Sequence, residues 1–315
     1  MMDRKRKVYV AGHRGLVGGA ICRELVAQGF ENILTYEHRK LDLRNQAEVT
    51  QMMRRERPDY VFLCAAKVGG IVAHLDSPAD FLVDNLFIQS NVMQAAKQYG
   101  TEKLLFLGSA CAYPKFAPTP IKEEYLLTGE LEPSNRGYAL AKIAGIEACK
   151  AYRKQYNCDF ISCMPTNLYG PGDNYHSKNS HVIPGMLRKI HEATQEIDGK
   201  PVWLWGTGAP IREFLYSEDM ARACIFLMDH YSEGELINLG SGEHVTLREL
   251  AKNIADVVGF RGEILWDSST PDGTPARWLD NSKLFKLGWR PTVKLEAGLK
   301  KAYEDFLCQF LRQSR

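Results

Sequence analysis

From Lys7 to Pro165 the chain alternates short β-rich runs with segments whose apolar residues recur at helical spacing, and this alternation limits the possible folds most sharply. KVYVAG is followed by AICRELVAQ and then by NILTYE, which makes a βαβ unit. The pattern continues with a helix near Ala47 to Arg55, the strand DYVFLCAA, a long helix from about Phe81 to Gln98, and the strand KLLFLGS ending at Ser109. A Pro-rich insertion from Tyr113 to Pro133 precedes a helix that begins near Tyr138 and the strand FISCMP. Parallel neighbours need crossover helices, so this order implies an α/β chain with a doubly wound parallel sheet covered on both faces. Ligands are expected at the carboxyl ends of its strands. Beyond Pro165, NLYGPGDNYHSKNSH is crowded with Asn, Gly, Pro and His, a helical stretch runs from Ile183 to Thr194, and Leu295 to Phe310 reads as an amphipathic closing helix. The expected division is a first domain over 1–166, to which roughly 203–231 returns, and a smaller C-terminal lobe built mainly from 167–202 and 232–315.

Composition narrows the function classes. The 315 residues are 45% hydrophobic and 25% charged, which supplies a full core and excludes disorder and collagen-like repeats. Forty basic against 38 acidic side chains leave a net charge of +2, so no global field points to nucleic acid or a membrane surface, and neither is an expected partner. The apolar run in MMDRKRKVYVAGHRG is too short for a signal peptide, and no stretch approaches the ~20 apolar residues of a membrane span, so the chain is expected to be cytoplasmic. Eight cysteines without a CxxC pair fit buried thiols better than a zinc site or a disulfide frame, and no metal is expected.

Gly12, Gly15 and Gly18 form G-x-x-G-x-x-G directly after a strand and before a helix. Glycines there let the backbone turn sharply and approach a pyrophosphate, whose charge the helix N-terminus favours, as in a Rossmann dinucleotide site. Arg14 within the loop and His38, Arg39 and Lys40 after the second strand favour the 2′-phosphate of NADP, with Glu37 the discordant acid in the same segment. Further along, Tyr138 and Lys142 form Y-x-x-x-K, one helical turn apart on one face. A nearby ammonium stabilises phenolate and prepares the hydroxyl to exchange a proton with a carbonyl or alcohol. Ser109, at the end of the preceding strand, can hold the same oxygen.

With these residues the chain resembles the extended short-chain dehydrogenase/reductase family, and within it the branch of GDP-4-keto-6-deoxy-D-mannose 3,5-epimerase/4-reductases, the GDP-L-fucose synthases. GHRGLVG, AAKVGGI, LGSACAYPK, YALAKIAGIE, MPTNLYGPGDN, SHVIPGMLRK, WGTGAPIREF and DGTPAR carry the resemblance in order through nearly the entire chain, with LGSACAYPK and SHVIPGMLRK the most specific. The resemblance implies a GDP-sugar substrate, NADPH as cofactor and a homodimer paired through long helices. A 4-keto sugar has acidic protons at both C3 and C5, and inverting either carbon needs a base on one face and an acid on the other. In the family these are a cysteine and a histidine, at positions matched here by Cys111 and His181. The implied catalytic set is therefore Ser109, Cys111, Tyr138, Lys142 and His181, with hydride supplied by NADPH to C4.

The same carry-over assigns cofactor contacts to Gly12, Arg14, Gly15, Leu16, Val17, Gly18, His38, Arg39, Asp42, Leu43, Ala65, Lys67, Lys142, Asn167, Leu168 and His181. It assigns substrate contacts to Ser109, Lys189, Trp205, Arg212 and Asp272, with Lys189 standing where some relatives have arginine. The alternatives are an epimerase/reductase of another GDP-4-keto sugar, a heptose or a dideoxyhexose, and a non-catalytic nucleotide sensor. A dehydratase is disfavoured because ACAYP carries no acidic pair after the active-site strand, and a UDP-sugar 4-epimerase would not need Cys111 and His181.

Overall fold

The computed structural model describes residues 1–176, 180–195, 201–270 and 272–313, so 177–179 of the loop NLYGPGDNYHSKNSH lie outside the described residues. The first part of the chain runs β1 (Lys7–Ala11), α1 (Leu16–Ala27), β2 (Asn32–Leu34), α2 (Gln46–Glu56), β3 (Tyr60–Leu63), α3 (Ile71–Asp76), α4 (Pro78–Gln98), β4 (Lys103–Leu107), α5 (Arg136–Tyr156) and β5 (Asp159–Pro165). It continues through β6 (Asn167–Tyr169), α6 (Val182–Thr194), β7 (Val202–Trp205), β8 (Ile211–Tyr216), α7 (Ser217–His230), β9 (Ile237–Leu239), β10 (His244–Thr246), α8 (Leu247–Val258), β11 (Ile264–Asp267), β12 (Ala276–Arg277), α9 (Ser282–Lys286) and α10 (Leu295–Gln313).

Six parallel strands form the main sheet in the order β2-β1-β3-β4-β5-β9. Strands buried on both faces read as unbroken apolar runs, as β3 and β4 do. Along β1 the faces alternate: Val8 and Val10 pack with Ile21 and Leu25 of α1 and Cys224 and Leu227 of α7, while Tyr9 packs with Met53 of α2, Val92 of α4 and Ile146 of α5. The strand order reverses between β1 and β3, and the crevice at their carboxyl ends is where a doubly wound sheet binds its ligand.

The segment 203–231 divides at Ser217. β7 pairs with β11, and β8 pairs with β6, β10 and β12, all outside the main sheet. In β7, Val202 and Leu204 are buried while Trp203 and Trp205 are exposed, the alternation of a strand covered on one side only. From Ser217 onward α7 packs on the main sheet, and the later β9 completes it. A separate core, with Leu187 and Ile190 of α6, Leu250 and Ile254 of α8 and Leu299 and Phe306 of α10, holds the smaller part together.

Glu213 of β8 ties the two parts. Only 1% exposed, it accepts from the Gly242 N–H (2.8 Å), the Leu279 N–H (2.9 Å) and Asn281 Nδ2 (2.9 Å), while its own carbonyl accepts from Thr166 Oγ1 at the end of β5. Glu213→Ala strands three donors, those of Leu279 and Asn281 in the closed interior, so urea unfolding should show a loss of about 3 kcal/mol. A loss under about 1 kcal/mol would mean that water replaces the carboxylate.

Candidate active site

Gly12 follows β1 with φ of +85°, in the left-handed region, and a Cβ there would lie 2.8 Å from the Ala65 backbone beyond β3. A Cβ on Gly18 would lie 2.2 Å from the Gly12 carbonyl oxygen. The turn is thus pressed between the sheet and α1, and Gly15, whose N–H donates to the Gly12 carbonyl at 3.0 Å, sits at the helix N-cap ahead of Leu16 and Val17. A helix starting there offers its first-turn N–H groups to an anion. Gly12 to Gly15 and Tyr36 to Arg39 line a cleft of about 450 Å³. At its mouth Glu37 accepts from both Arg14 and Arg39, the latter through Nε at 2.7 Å. His38 Nε2 is 3.6 Å from Asp42, whose carboxyl is pulled down to about 2 chiefly by the hydrogen bond from Arg44; Leu43 is buried below.

Lys67 is held by Asp80 (2.7 Å) and Asp84 (3.3 Å) on α4. Its backbone exchanges two hydrogen bonds with the Asn85 side chain, at 2.9 and 3.1 Å. Asn85 therefore fixes the turn after β3, a role for which nothing local in the sequence speaks.

The reactive residues gather at the carboxyl end of β4 and the start of α5. Ser109 caps the single turn Ala110–Ala112, accepting from the Cys111 N–H at 3.4 Å, and hydrogen-bonds to Tyr138. Burial, then the proximity of Cys111, push the Tyr138 phenol well above its usual value, and the Ser109 bond opposes them. Lys142 donates to the Leu107 carbonyl at 2.8 Å, with its ammonium 5.7 Å from the centre of the Tyr138 ring, and burial pulls it down to about 8. His181 occupies the N-cap position of α6 and is exposed at one side, yet the protein packed around it disfavours the imidazolium and lowers its pKa.

His74 of α3 links these groups. Its ring lies 5.2 Å from that of Tyr138 and 4.0 Å from that of Phe81, and it feels the charge of His181. Cys111 and His74 thus both neighbour Tyr138, and His181 is near enough to His74 for their charges to oppose one another.

A row of polar groups leads from this cluster into the smaller lobe. Arg277 of β12 donates to the Tyr113 and Pro114 carbonyls just past Cys111, while its buried Nε has no partner among the described residues. Beside it, burial and the Arg277 charge pull Arg212 down to about 10. Asp272 accepts from the N–H and hydroxyl of Thr207 at 2.9 and 2.6 Å, which keeps its carboxyl low. Past Thr207, Lys189 of α6 lies 5.2 Å from the centre of the exposed Trp205 ring. Arg277 is the member that sequence reasoning missed, although DGTPAR contains it. Asn167 is engaged with the Glu213 carbonyl at 3.0 Å, and Leu168 packs on the core beside the sheet.

No three His, Cys, Asp or Glu side chains among the described residues are grouped to hold a metal ion, and no described helix is long and apolar enough to cross a membrane. A dinucleotide, by contrast, suits the cleft beside the glycine turn, where Gly12 and Gly18 have no room for a Cβ and the turn delivers the N-terminus of α1 to an anion. The chain is 55% identical over 308 residues to GDP-L-fucose synthase 1 of Arabidopsis thaliana, covering 98% of this chain and 95% of that protein. Among solved structures, a GDP-6-OMe-4-keto-L-xylo-heptose reductase from C. jejuni aligns with a TM-score of 0.92 at 36% identity, covering 98% of this chain and 99% of the other. A GDP-L-fucose synthetase from Naegleria fowleri, bound to NADP, aligns with a TM-score of 0.91 at 28% identity, covering 99% and 97%. Residues 8–240 match the NAD dependent epimerase/dehydratase family, and the chain belongs to that family.

Proposed function

We propose that this enzyme is a GDP-4-keto-6-deoxy-D-mannose 3,5-epimerase/4-reductase that makes GDP-L-fucose with NADPH. The observation that carries this reading is the meeting of Ser109 and Cys111, past the end of β4, with Tyr138 at the start of α5, His74 standing against the Tyr138 ring and within reach of the His181 charge. Reduction alone accounts for Tyr138 and Ser109; the thiol and the imidazole are the surplus that two inversions require.

NADPH, when bound, supplies the hydride for C4. Tyr138 and Ser109 hold the substrate carbonyl oxygen, Cys111 takes the C3 and C5 protons, and His181 returns protons from the opposite face. Tyr138, kept protonated by burial, donates to each enolate oxygen and finally to the C4 alkoxide. Lys142 supports the phenol from below and bonds the nicotinamide ribose. Arg277, Arg212 and Lys189 follow the diphosphate outward to a guanine on Trp205, with Arg277 added to the set that the sequence offers. Two copies pair through α4 and α5, where Val83, Phe87 and Leu140 are exposed, and the compartment implied by a nucleotide sugar and NADPH is the cytoplasm.

Arg14 and Arg39 receive the 2′-phosphate, which must compete with Glu37 for both guanidiniums. Glu37→Gln should therefore tighten NADPH binding several-fold in a fluorescence titration, leave NADH unchanged, and lose its effect as salt is raised. Equal gains for both cofactors would remove the arginines from the phosphate site.

Product NMR after incubation with GDP-4-keto-6-deoxy-D-mannose and NADPH tests the whole reading, since it reports inversion at C3 and C5, reduction at C4 and the identity of the sugar. A second reading, a 4-keto-heptose substrate, is favoured by the likeness to the heptose reductase. It predicts turnover of the heptose and none of the deoxyhexose.

A further inference from the structure

Asn238 of β9 is wholly buried and joins three segments that lie far apart in the chain. Its N–H donates to Glu123 Oε1 at 3.0 Å, and its Nδ2 donates to the Ile121 carbonyl at 2.9 Å and the Asp280 carbonyl at 3.1 Å. Those carbonyls claim the amide nitrogen, so Oδ1 is the atom left for Tyr113, whose hydroxyl donates to it at 2.6 Å. Asp280 in turn stands three residues past Arg277.

Tyr113 is also wholly buried, and it follows directly on Ala110–Ala112, the single turn that carries Cys111. Its N–H closes that turn on the Ala110 carbonyl at 3.2 Å. Three residues are too few to hold a helix in place by themselves, so the turn takes its position from its two ends. In front, Ser109 accepts from the Cys111 N–H and bonds Tyr138. Behind, Arg277 reaches the Tyr113 carbonyl at 3.3 Å, and the shorter bond is the one from the Tyr113 hydroxyl to Asn238 in the main sheet.

We propose that Tyr113 and Asn238 are positioning residues for Cys111, anchoring its turn to β9 so that the thiol meets the protons of the sugar ring. This rests on the reading of Cys111 as the base for C3 and C5. A base that serves two carbons of one ring has little latitude, since a misplacement of about 1 Å can cost ~10²-fold in rate. The reducing half is placed by other elements: Tyr138 and Lys142 by α5, with Lys142 bonded to the Leu107 carbonyl, and the cofactor cleft by the turn between β1 and α1. The pair therefore acts on epimerisation and spares hydride transfer.

The test measures the two steps separately in the full-length enzyme. Deuterium entry at C3 and C5 of saturating GDP-4-keto-6-deoxy-D-mannose is followed by NMR in deuterated water with NADP bound, and hydride transfer by single-turnover oxidation of NADPH with GDP-4-keto-6-deoxy-L-galactose, already inverted at both carbons. Tyr113→Phe keeps the ring and removes the bond to Asn238; it should slow deuterium entry about tenfold and leave hydride transfer and NADPH affinity within about twofold. Asn238→Ala should slow deuterium entry at least as much, and the double variant no further than Asn238→Ala alone, because the two side chains act as one unit. Equal slowing of both steps by Tyr113→Phe would make the pair a prop of the fold, and no slowing of either would make the turn self-supporting; each result overturns this inference alone. Where Asn238→Ala does not fold, Tyr113→Phe decides. A wild-type enzyme that admits no deuterium at C3 and C5 would overturn the functional reading and this inference together.

Discussion

Tyr138→Phe should suppress NADPH oxidation by the 4-keto sugar by about 10²- to 10⁴-fold while leaving NADPH affinity within about twofold. The size follows from what the phenol does and what nothing nearby can do in its place. Hydride arriving at C4 leaves an alkoxide, and the proton must come from a group already at the oxygen. Tyr138 is 8% exposed, so bulk water cannot serve readily, and Ser109, hydrogen-bonded to it, is too weak an acid to substitute. Lys142 is the other proton source within reach of the phenol, but its ammonium is committed to the Leu107 carbonyl at 2.8 Å and sits under the ring rather than at the hydroxyl. Phenylalanine keeps the aromatic contacts with His74 and Phe81, so the pocket wall survives and the loss belongs to kcat. Deuterium entry at C3 and C5 should fall too, because each enolate loses a donor at its oxygen. A Tyr138→Phe enzyme that still oxidised NADPH at a tenth of the wild-type rate would place the proton donor elsewhere.

Much of this arrangement can be read from local sequence, and the parts that cannot share a physical reason. Gly12 and Gly18 stand out because only a residue without Cβ fits there, and β1, β3 and β4 because strands buried on both faces have unbroken apolar stretches. The six-residue α3 has no such signature: it is too short to build an apolar period, and Pro78, opening α4, reads as a break rather than as the first residue of a helix. His74 therefore looks like an unremarkable loop histidine until its ring meets Tyr138. Glu37 is ambiguous for another reason, since its side chain could face either way; the pairing with Arg14, 23 positions earlier, decides it. Arg277 is farther still from local inference, because its partner Tyr113 lies 164 positions away. What stays hidden is contact between distant segments, and the polar row into the smaller lobe is made of nothing else.

Cys111→Ser separates the two halves of the chemistry. Serine keeps the size and the backbone turn, including the N–H that donates to Ser109 Oγ, so Tyr138 and the cofactor cleft keep their surroundings. What changes is the base: an alcohol is many orders of magnitude less acidic than a thiol and cannot exist as a useful anion at neutral pH, so proton removal from C3 and C5 loses its acceptor. In deuterated water the variant should incorporate deuterium at C3 and C5 at least 10²-fold more slowly than wild type, with NADPH affinity unchanged. Reduction need not stop. With the epimerisations blocked and Tyr138 intact, hydride can still reach the C4 carbonyl of the unepimerised sugar, so NMR should find slow formation of a reduced product with the original configuration at C3 and C5. His181→Gln should give a contrasting pattern: Cys111 still removes a proton and can return it to the same face, so exchange persists while inversion fails. Undiminished deuterium entry in Cys111→Ser would take the thiol out of the mechanism and leave a plain reductase whose surplus cysteine only fills space.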